Sequence, residues 1–531
     1  RTYRISYAGG TGNDVVLSRV LAGLSINNVS ANEGAAGAFT SFTFTVTLGT
    51  TSAQTITVNY ATSDGKAKAP DDYIAASGTL TFAPGDTTKT VTVGVRGDAT
   101  AERNEVFYVT LSQPVNAVLT GAVGTGTIIN DDAFPALSDN FGSDFWLTFP
   151  SNYPELATPT VTLYMTGETA TTGTVAISGL SYSSNFSITP GAVTSMALPS
   201  GADLGFSNDT VENKGIHVTA GAEIAVYGLD NASYSTDAFL GLPVDVLGTE
   251  YFVLSYKNFG VASAYQSSPP GTEFAIVATV DNTVVTITPK TSAVGTHAAG
   301  TAYTVTLNRG QTYQGQNNGL NTTEDYTGTL ISATNPIAVF SGHQATQIPT
   351  SYASANYLVE QLTPTSSWGK SFVAMPYLTR TVGDTYRFLA SVDSTVVTVN
   401  GTVVATINRG QYAEYYGAPT SHQQIPVFIT ATQPILVGHY SNSNLFDDTY
   451  SDPAYELVEP TAQFLDAYTV EAANPWTGIP NSYINVAAPQ DAIASLTLDG
   501  VAVQSFAGFT QIGSTNYWGA QFSVANGAHR L

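Results

Sequence analysis

The chain of 531 residues contains no cysteine and few basic residues. Without cysteine no disulfide can form, so each domain must be stabilised by core burial or by a bound metal. Lysine and arginine together number 17, against 40 aspartate and glutamate residues, which gives a formal net charge of −23. A chain this acidic has no large basic surface, so we expect no nucleic-acid partner. The charge favours a soluble extracellular chain and the binding of cations.

Long hydrophobic runs and long helical periods are also absent. No run reaches the roughly 18 apolar residues of a membrane-spanning helix, and no signal peptide is recognisable, so we expect no membrane insertion in this segment. Short alternating runs rich in Val, Thr and Tyr are separated by Gly, Asn, Asp and Pro, a pattern typical of strands and turns. We predict an all-β protein made of tandem β-sandwich domains.

Catalytic motifs are missing as well. The sequence has no His-Glu-x-x-His, no Gly-x-Ser-x-Gly, no P-loop and no cysteine nucleophile. His343 and His439 each follow an apolar run at what we interpret as matching points of two repeats, and we predict that they are structural rather than metal ligands. The acidic pair Glu324 and Asp325, or the acidic loop 446–455, could supply glycosidase carboxylates. We predict a protein that is not an enzyme, and a secreted hydrolase with an unrecognised site is the alternative.

Acidic residues recur at turn positions through residues 33–132. They stand in short pieces between β-rich runs: Asn-Glu-Gly at 32–34, Ser-Asp-Gly at 63–65, Asp-Asp-Tyr at 71–73, Gly-Asp-Ala-Thr-Ala-Glu-Arg-Asn-Glu at 97–105 and Asn-Asp-Asp at 130–132. If the runs form a sandwich, several carboxylates can gather at one of its ends. Ca²⁺ takes about six to eight oxygen ligands, several of them carboxylate, so this end is a candidate calcium site.

The same pieces, in this order, resemble a Calx-β domain over about residues 24–133. The resemblance implies an immunoglobulin-like sandwich that binds Ca²⁺ through acidic positions matched here by Glu33, Asp64, Asp98, Glu102, Glu105, Asp131 and Asp132. Asn130 stands where some members have a further aspartate, a departure that bears on a second or third ion more than on the first. The alternative is a spacer domain whose turn aspartates only bond their own backbone.

The chain beyond residue 143 is internally repetitive, with a spacing of about 100 residues. Three elements recur in the same order: Asp-(Asn/Ser)-Thr-Val-Val at 281–285 and 393–397, Asn-Arg-Gly-Gln at 308–311 and 408–411, and a run led by Asn-Pro-Ile or Gln-Pro-Ile at 331–341 and 429–438. Proline belongs at the start of such a strand, where its missing N–H costs nothing. We predict repeated β-sandwich units that each bury a core of their own.

The boundaries that we predict divide the chain into seven parts. They are a hairpin at 1–20 that closes an upstream domain, the Calx-β domain at 21–133, a linker at 134–143, and four sandwich units at 144–242, 243–362, 363–458 and 459–531, the last one incomplete. Near the unit entrances, Trp146 and Trp368 are interpreted as core anchors. Six tyrosines are interpreted as loop contact residues: Tyr357, Tyr386, Tyr412, Tyr415, Tyr416 and Tyr440.

Residues 138–531 resemble the N-terminal region of IgG-Fc-binding-protein-like sequences, as found in bacterial extracellular proteins. The resemblance rests on the stretches 142–150, 271–289, 336–342 and 360–372. It implies an extracellular module array. Related animal chains carry cysteines that are absent here, and antibody binding is not carried over.

These observations lead to one main hypothesis and two alternatives. The main hypothesis is a non-enzymatic protein at a bacterial cell surface or outside the cell, an adhesin or a stalk or filament component with calcium-stiffened β modules. Its partners would be another extracellular protein, a glycan or copies of itself. The alternatives are a specific binder of host protein or glycan through loops of 138–531, and the hydrolase.

Overall fold

Strands alternate with short turns along the described part of the chain. A computed structural model describes all residues except 1–2, 10–13, 20, 36, 98–104, 130–139, 154–157, 234, 260–268, 318–319, 353, 379, 381, 417–424, 448–451, 466 and 473–481. The chain divides into two units, Arg1–Leu137 and Ser138–Leu531. The all-β prediction is confirmed.

The first unit contains a sandwich of two sheets. Its strands are β1 (Tyr3–Gly9), β2 (Asp14–Arg19), β3 (Ala22–Ile26), β4 (Val29–Asn32), β5 (Phe39–Leu48), β6 (Ile56–Asp64), β7 (Ser77–Phe82), β8 (Thr88–Arg96), β9 (Glu105–Val115), β10 (Ala117–Gly121) and β11 (Val123–Ile129). One sheet has the order β10-β3-β5-β8 and the other β4-β11-β9-β6-β7, while β1 and β2 form a separate antiparallel pair.

The core of this sandwich follows from strict alternation along its strands. In β5, Phe42, Phe44 and Val46 are buried and the threonines between them face outward, as expected for side chains that alternate across a sheet. Phe107 of β9 lies at the centre, with its ring stacked on Tyr73 at 4.6 Å. That contact fixes the loop 65–76 against the sandwich.

The second unit consists of four successive strand sets. The first set is β12 (Phe141–Leu147), β13 (Thr160–Thr166), β14 (Thr171–Ile177), β15 (Tyr182–Ile188), β16 (Thr194–Ala197), β17 (Thr210–Glu212), β18 (Ile216–Ala232) and β19 (Ser235–Gly241). The second is β20 (Gly248–Phe252), β21 (Thr272–Ala278), β22 (Thr283–Thr288), β23 (Tyr303–Leu307), β24 (Thr312–Gln316), β25 (Leu330–Thr346) and β26 (Asn356–Gln361).

The third and fourth sets complete the unit. The third is β27 (Gly369–Ala374), β28 (Thr385–Ala390), β29 (Thr395–Val399), β30 (Thr402–Ile407), β31 (Tyr412–Tyr416), β32 (Val427–Tyr440) and β33 (Tyr455–Leu457). The fourth is β34 (Thr469–Ala472), β35 (Ser482–Pro489), β36 (Thr497–Leu498), β37 (Val501–Ala502), β38 (Thr510–Gln511), β39 (Tyr517–Val524) and β40 (Gly527–Arg530).

Helices are short in the part of the chain that the structure describes. They are α1 (Asn444–Asp447) and the 3₁₀ turns Ser178–Leu180, Val244–Val246, Thr365–Ser367, Thr461–Gln463, Ile493–Ser495 and Val503–Ser505. Among the described residues, no helix is long and apolar enough to span a membrane.

The sequence repeat is confirmed by the order of strands in the sheets. The second set has the order β24-β21-β25-β22-β23 and the third β31-β28-β32-β29-β30, and the first repeats it as β16-β13-β18-β14-β15. In each set one long strand (β18, β25 or β32) pairs with an entrance strand (β12, β20 or β27) and with an inner strand (β19, β26 or β33).

The Asn-Arg-Gly-Gln element forms the same turn twice. The backbone N–H of Arg309 donates to Asp281 at 3.0 Å, and that of Arg409 donates to Asp393 at 2.9 Å. The following Gly310 has φ +77°, a left-handed conformation that side chains disfavour. A Cβ there would also meet the Trp146 ring of the preceding set at 2.9 Å, so this turn needs glycine for two reasons.

The prediction that each unit buries its own core is wrong for the first and second sets, whereas the third and fourth sets each have an apolar cluster of their own. One hydrophobic cluster joins Leu147 and Phe149 of the first set to Val277 and Phe340 of the second, and another joins the second set to the third. The sheets face one another, so each set supplies part of its neighbour's core. The sequence showed the repeat period but carried no sign of which face each strand presents to its neighbour.

Two boundary details also differ from the predictions. The linker predicted at 134–143 extends too far, since β12 already begins at Phe141. β17, within the predicted unit 144–242, pairs with β24 of the second set. The fourth set in turn contacts the first, because the Tyr227 hydroxyl donates to the Thr469 carbonyl at 3.1 Å.

Candidate functional site

The ends of three strands bring acidic residues to one end of the first unit's larger sheet. Glu33 follows β4, and its backbone N–H donates to the Ile129 carbonyl at 3.0 Å. Glu105 begins β9 opposite Ile128, and Asp64 ends β6 opposite Phe107. Parallel and antiparallel neighbours thus place these three predicted ligands at the same end.

Asp64 is held in a defined position. Its Oδ1 accepts hydrogen bonds from the Tyr73 hydroxyl at 2.7 Å and from the Ala69 N–H at 3.2 Å. The Tyr73 hydroxyl, the Ala69 N–H and the charge of Lys68 lower the pKa of Asp64, so this carboxyl is ionised at neutral pH. An ionised, oriented carboxylate is the form that a hard cation requires.

Glu33 differs from Asp64 in its exposure. The residue is 5% exposed, and its backbone carbonyl accepts a hydrogen bond from the Thr40 hydroxyl at 2.5 Å. The backbone of Glu33 is therefore held by hydrogen bonds at both its N–H and its carbonyl. A carboxylate removed from water in this way depends on nearby positive or hydrogen-bonding groups.

The other predicted ligands, Asp98, Glu102, Asp131 and Asp132, lie outside the described residues. Within the residues that are described, no three His, Cys, Asp or Glu side chains come close enough together to hold a metal. Glu33, Asp64 and Glu105 have the ligand chemistry of a calcium site and lie at the same end of the sheet, but these three described residues do not by themselves form a group that could hold a metal. The sequence motif had not indicated that Tyr73 orients Asp64, although its Asp-Asp-Tyr piece contains that tyrosine.

The two histidines singled out in the sequence are both buried, but they are not equivalent. His439 pairs with Tyr386, and its counterpart in β25 is Ser341, which pairs with Phe274. His343 lies two positions further along its strand, so the matching position proposed from the sequence is wrong. The similar runs end in different loops, and adjacency in sequence did not fix the register.

His439 is fully buried and pairs with one buried carboxylate, Asp384, and one exposed carboxylate, Glu456. Its Nε2 lies 2.9 Å from Asp384 Oδ2 and its Nδ1 lies 2.6 Å from Glu456 Oε1, with the ring stacked between Tyr377 and Tyr386. Burial alone would lower the pKa of His439, but the hydrogen bonds and charges of the two carboxylates outweigh it and raise the pKa to about 9. His439 is therefore a charged structural residue, as the sequence favoured over a metal ligand.

A second buried cluster surrounds Arg387, which has no exposed surface. Its guanidinium lies 2.8 Å from Asp325 and 3.0 Å from Glu414, and it stands over the rings of Tyr256 and Tyr412. Asp325, considered from the sequence as a glycosidase carboxylate, thus pairs with an arginine inside the core. Sequence reasoning missed this cluster because Arg387 lies 27 positions from Glu414 and 62 positions from Asp325.

The aromatic residues divide between confirmed and wrong predictions. Trp146 and Trp368 are each 7% exposed and pack in the core clusters, which confirms them as anchors. Of the tyrosines interpreted as loop contacts, Tyr357, Tyr386 and Tyr440 are buried within strands, so that interpretation is wrong for them. Tyr412, Tyr415 and Tyr416 lie half-buried along β31.

Comparison with known families gives two matches. Residues 22–132 match the Calx-beta domain, and residues 237–531 match the family described as IgGFc binding protein. The second match covers more than half of the 531 residues. The two families correspond to the two resemblances found from the residues.

Individual relatives agree with this division. The human IgGFc-binding protein is 30% identical over 292 residues, which are 53% of this chain and 5% of that protein. Sodium/calcium exchanger 2 of rat is 34% identical over 95 residues, 15% of this chain and 10% of the exchanger. The chain thus spans only a small part of either protein.

The crystal structure of the apo form of the Calx CBD1 domain is 25% identical, covers 21% of this chain and 100% of that domain, and has a TM-score of 0.20. From its larger match, the chain belongs to the IgGFc binding protein family.

Proposed function

We propose that this chain is a non-enzymatic binding or adhesive protein of a bacterial surface or extracellular fibre. Its first unit binds Ca²⁺ through Glu33, Asp64, Asp98, Glu102, Glu105, Asp131 and Asp132. The bound ion stiffens that unit by linking loops whose carboxylates otherwise repel one another. The second unit supplies the surface for an extracellular protein or glycan, or for copies of itself.

The observation that carries the calcium proposal is the common location of Glu33, Asp64 and Glu105. A cation bound at this end of the sheet would reduce the repulsion between the carboxylates located there. The relatives named for sodium/calcium exchange and for the Calx domain support the same assignment. One ion would need further oxygens beyond these three.

The non-enzymatic proposal is supported by what the buried acids do. Asp325 and Glu414 neutralise Arg387, and Asp384 neutralises His439. These carboxylates are committed to ion pairs inside the fold, and their loss would cost stability rather than turnover. A catalytic pair would instead present its carboxylates to a cleft with room for substrate.

A second candidate function is specific recognition of one protein partner by the second unit. The observation that favours it is the match to a protein named for IgG Fc binding. Since the chain covers 5% of that protein, the partner itself is not transferred. Binding of labelled candidate proteins and of a glycan array to residues 1–531 would separate this function from a purely structural role.

The calcium proposal is tested by calorimetry of the whole chain. Binding to the folded state alone stabilises by about 2.7 kcal/mol at one hundred times the Kd, so we expect millimolar CaCl₂ to raise the first unit's melting temperature by several degrees. The double variant Asp131→Asn with Asp132→Asn should lose this rise. The control is Asp86→Asn, which removes an exposed turn carboxylate paired with Lys89 at 2.8 Å.

An unchanged melting temperature in calcium would refute the ion site. The same conclusion follows if the double variant responds to calcium as the unmodified chain does. Mg²⁺ at the same concentration tests selectivity, since its smaller shell fits a flexible carboxylate cage less well.

A further inference from the structure

Two carboxyls lie at the junction between the first and second strand sets without a cationic partner. Asp230 of β18 and Glu273 of β21 both have no exposed surface. Among the ion pairs of the described residues, none includes either carboxyl. We call Asp230 and Glu273 the junction acids.

The hydrogen-bond donors to the junction acids are neutral amides. Asn152 Nδ2 donates to Asp230 Oδ1 at 2.8 Å, and Gln316 Nε2 donates to Glu273 Oε2 at 3.2 Å. The other oxygen of each carboxyl, Asp230 Oδ2 or Glu273 Oε1, is buried and has no hydrogen-bond partner among the described residues. An ionised carboxylate here would be an unpaired charge in the interior, whereas a neutral carboxyl leaves only one polar group unsatisfied, which is the smaller cost.

The hydrogen bonds next to the junction acids cross from one set to the other. The N–H of Ser151, which follows β12, donates to Gln314 Oε1 at 3.1 Å, and the Ser151 hydroxyl accepts a hydrogen bond from Gln344 Nε2 at 3.0 Å. The N–H of Tyr357 donates to the Ser235 hydroxyl at 3.2 Å. A buried polar layer therefore connects the first set to β24, β25 and β26, and the junction acids belong to it.

The next junction along the chain has an arginine at the corresponding place. β28 pairs with β32 and β31 as β21 pairs with β25 and β24, and this alignment places Arg387 where the first junction has Ala275. Glu414, which pairs with Arg387, takes the place of Gln314. The junction between the second and third sets thus has a cation for its buried acids. The fold places none at the equivalent position between the first and second sets.

The charges that act on the junction acids are negative. Asp203, from the segment between β16 and β17, acts on both of them, and Asp230 acts on Glu273. Burial raises the pKa of Asp230 to about 8 against the effect of the hydrogen bond from Asn152, and it raises the pKa of Glu273 well above its usual value. The further titratable groups around them are Tyr357 of β26 and Asp237 of β19, and Glu212 and Lys214, whose charges act on Asp203.

We propose that the junction between the first and second strand sets is a proton-dependent lock. While both junction acids are neutral, the buried polar layer is closed and the two sets stay packed on each other. When the junction acids lose their protons in mildly alkaline solution, their charges repel one another and require water. The junction then opens, while the third set remains folded.

The first test follows stability against pH. Between the unfolded pKa of Asp, about 3.9, and the folded value of about 8, the folded chain holds a proton that the unfolded chain has lost. The stability of the fold therefore falls as pH rises through this range. Asp230→Asn keeps the oxygen that accepts from Asn152 and removes this dependence. Its melting temperature relative to the unmodified chain should rise by about 3 °C or more between pH 5 and 8.5.

The matched control is Glu223→Gln, which removes an exposed carboxyl from the same strand, β18. Its melting temperature relative to the unmodified chain should stay constant over this pH range. His439 titrates in all three chains, so its contribution cancels in these differences.

Infrared difference spectroscopy detects the junction acids without relying on stability. A neutral carboxyl has a C=O stretch that an ionised carboxylate lacks, and ordinary Asp and Glu, with pKa values of about 4, are ionised at pH 6.5. We expect a neutral-carboxyl band at pH 6.5 that weakens toward pH 9. In Asp230→Asn this band should be smaller at pH 6.5.

Opening of the junction is measured by hydrogen–deuterium exchange of the full chain, corrected for the intrinsic effect of pH. The protection of β26, which lies in the core shared by the two sets, should fall roughly tenfold or more between pH 6.5 and 9. β29 of the third set should keep its protection. The double variant Asp230→Asn with Glu273→Gln should keep the protection of β26 over the same range.

Three outcomes would overturn the proposal. They are a melting-temperature difference for Asp230→Asn that does not change with pH, an unchanged carboxyl band in that variant, and an equal loss of β26 protection in the double variant and the unmodified chain. Elemental analysis that finds one metal ion fewer per chain in the double variant would also overturn it, since a cation rather than protons would then neutralise the junction acids.

Discussion

Arg387 offers the sharpest test of the buried electrostatics of the second unit. Its guanidinium is fully buried and bonded to Asp325 and Glu414. Arg387→Met keeps much of the side-chain volume but leaves two carboxylates without their cation. Breaking a buried ion pair from one side costs about 3–5 kcal/mol, so we expect a loss of that size in the unfolding free energy.

The matched control is Arg409→Met in the same strand set. Arg409 pairs with Glu250 at 2.8 Å, but its side chain is 38% exposed, and exposed ion pairs contribute about 0–1 kcal/mol. Urea unfolding followed by tryptophan fluorescence compares the two variants. Equal losses for Arg387→Met and Arg409→Met would refute the argument that burial determines the cost.

The pH dependence gives a second check on the same variant. Burial alone would raise the pKa of Asp325, but the charge of Arg387 and the hydrogen bonds of Thr327 and Arg387 hold it below its usual value. This pair therefore stabilises the fold above the unfolded pKa of Asp, about 3.9, and the contribution is lost as pH falls through the folded pKa. In Arg387→Met the carboxyl is protonated at higher pH, so the deficit should shrink as pH falls from 7 to 4.5. The additional change Asp325→Asn should recover part of the loss at pH 7.

Three further predictions concern single residues. The pKa of His439 is raised to about 9, so its charge stabilises the fold fully below the unfolded pKa of about 6.5, and this contribution is lost as pH rises through 9. The difference in melting temperature between the unmodified chain and His439→Gln should therefore narrow from pH 6.5 to 9.5. A difference that stays constant over this range would contradict the charged state of His439. Gly310→Ala should lower the free energy of unfolding by more than the about 1–2 kcal/mol of a left-handed backbone conformation, because the added Cβ meets the Trp146 ring. The control is Gly300→Ala, which has the same φ of +77° but open space around the added Cβ. Equal losses for the two variants in urea unfolding would exclude the contact with Trp146. Tyr73→Phe removes the 2.7 Å hydrogen bond to Asp64 and should lower the free energy of unfolding by about 0.5–1.5 kcal/mol. The pKa of the Asp64 carboxyl, followed by NMR, should rise in this variant. An unchanged titration of Asp64 would count against the hydrogen bond.

Local signals in the sequence were sufficient for much of the fold. Alternation in β5 and the turn chemistry of Asn-Arg-Gly-Gln depend on neighbours within a few residues, so strands, turns and the repeat could be predicted. The location of Glu33, Asp64 and Glu105 at one end of the sheet followed from the order of acidic turns between strands, and their role as calcium ligands stays a prediction. These features depend on local propensity and on one assumption, that the strands form a sandwich.

The features that the sequence did not reveal depend on contacts between distant segments. Arg387 and Asp325 form a hydrogen-bonded ion pair although they lie 62 positions apart in the sequence. No sequence pattern near either residue predicts this pair. The burial of Tyr357, Tyr386 and Tyr440 depends on which sheet face turns toward the adjacent set. Apolar alternation specifies that a strand has a buried face, but the partner of that face is set by tertiary packing.

The shared cores of the second unit have a consequence for how its pieces can be separated. Leu147 and Phe340 belong to different repeats but to one apolar cluster, so cutting the chain between the repeats exposes both sides of it. Fragments that end at the repeat boundaries would present broad apolar faces to water and associate or aggregate. In repeat proteins of this kind, stability depends on the interfaces between neighbouring repeats. A single repeat defined by the sequence period is therefore not a fragment that folds independently.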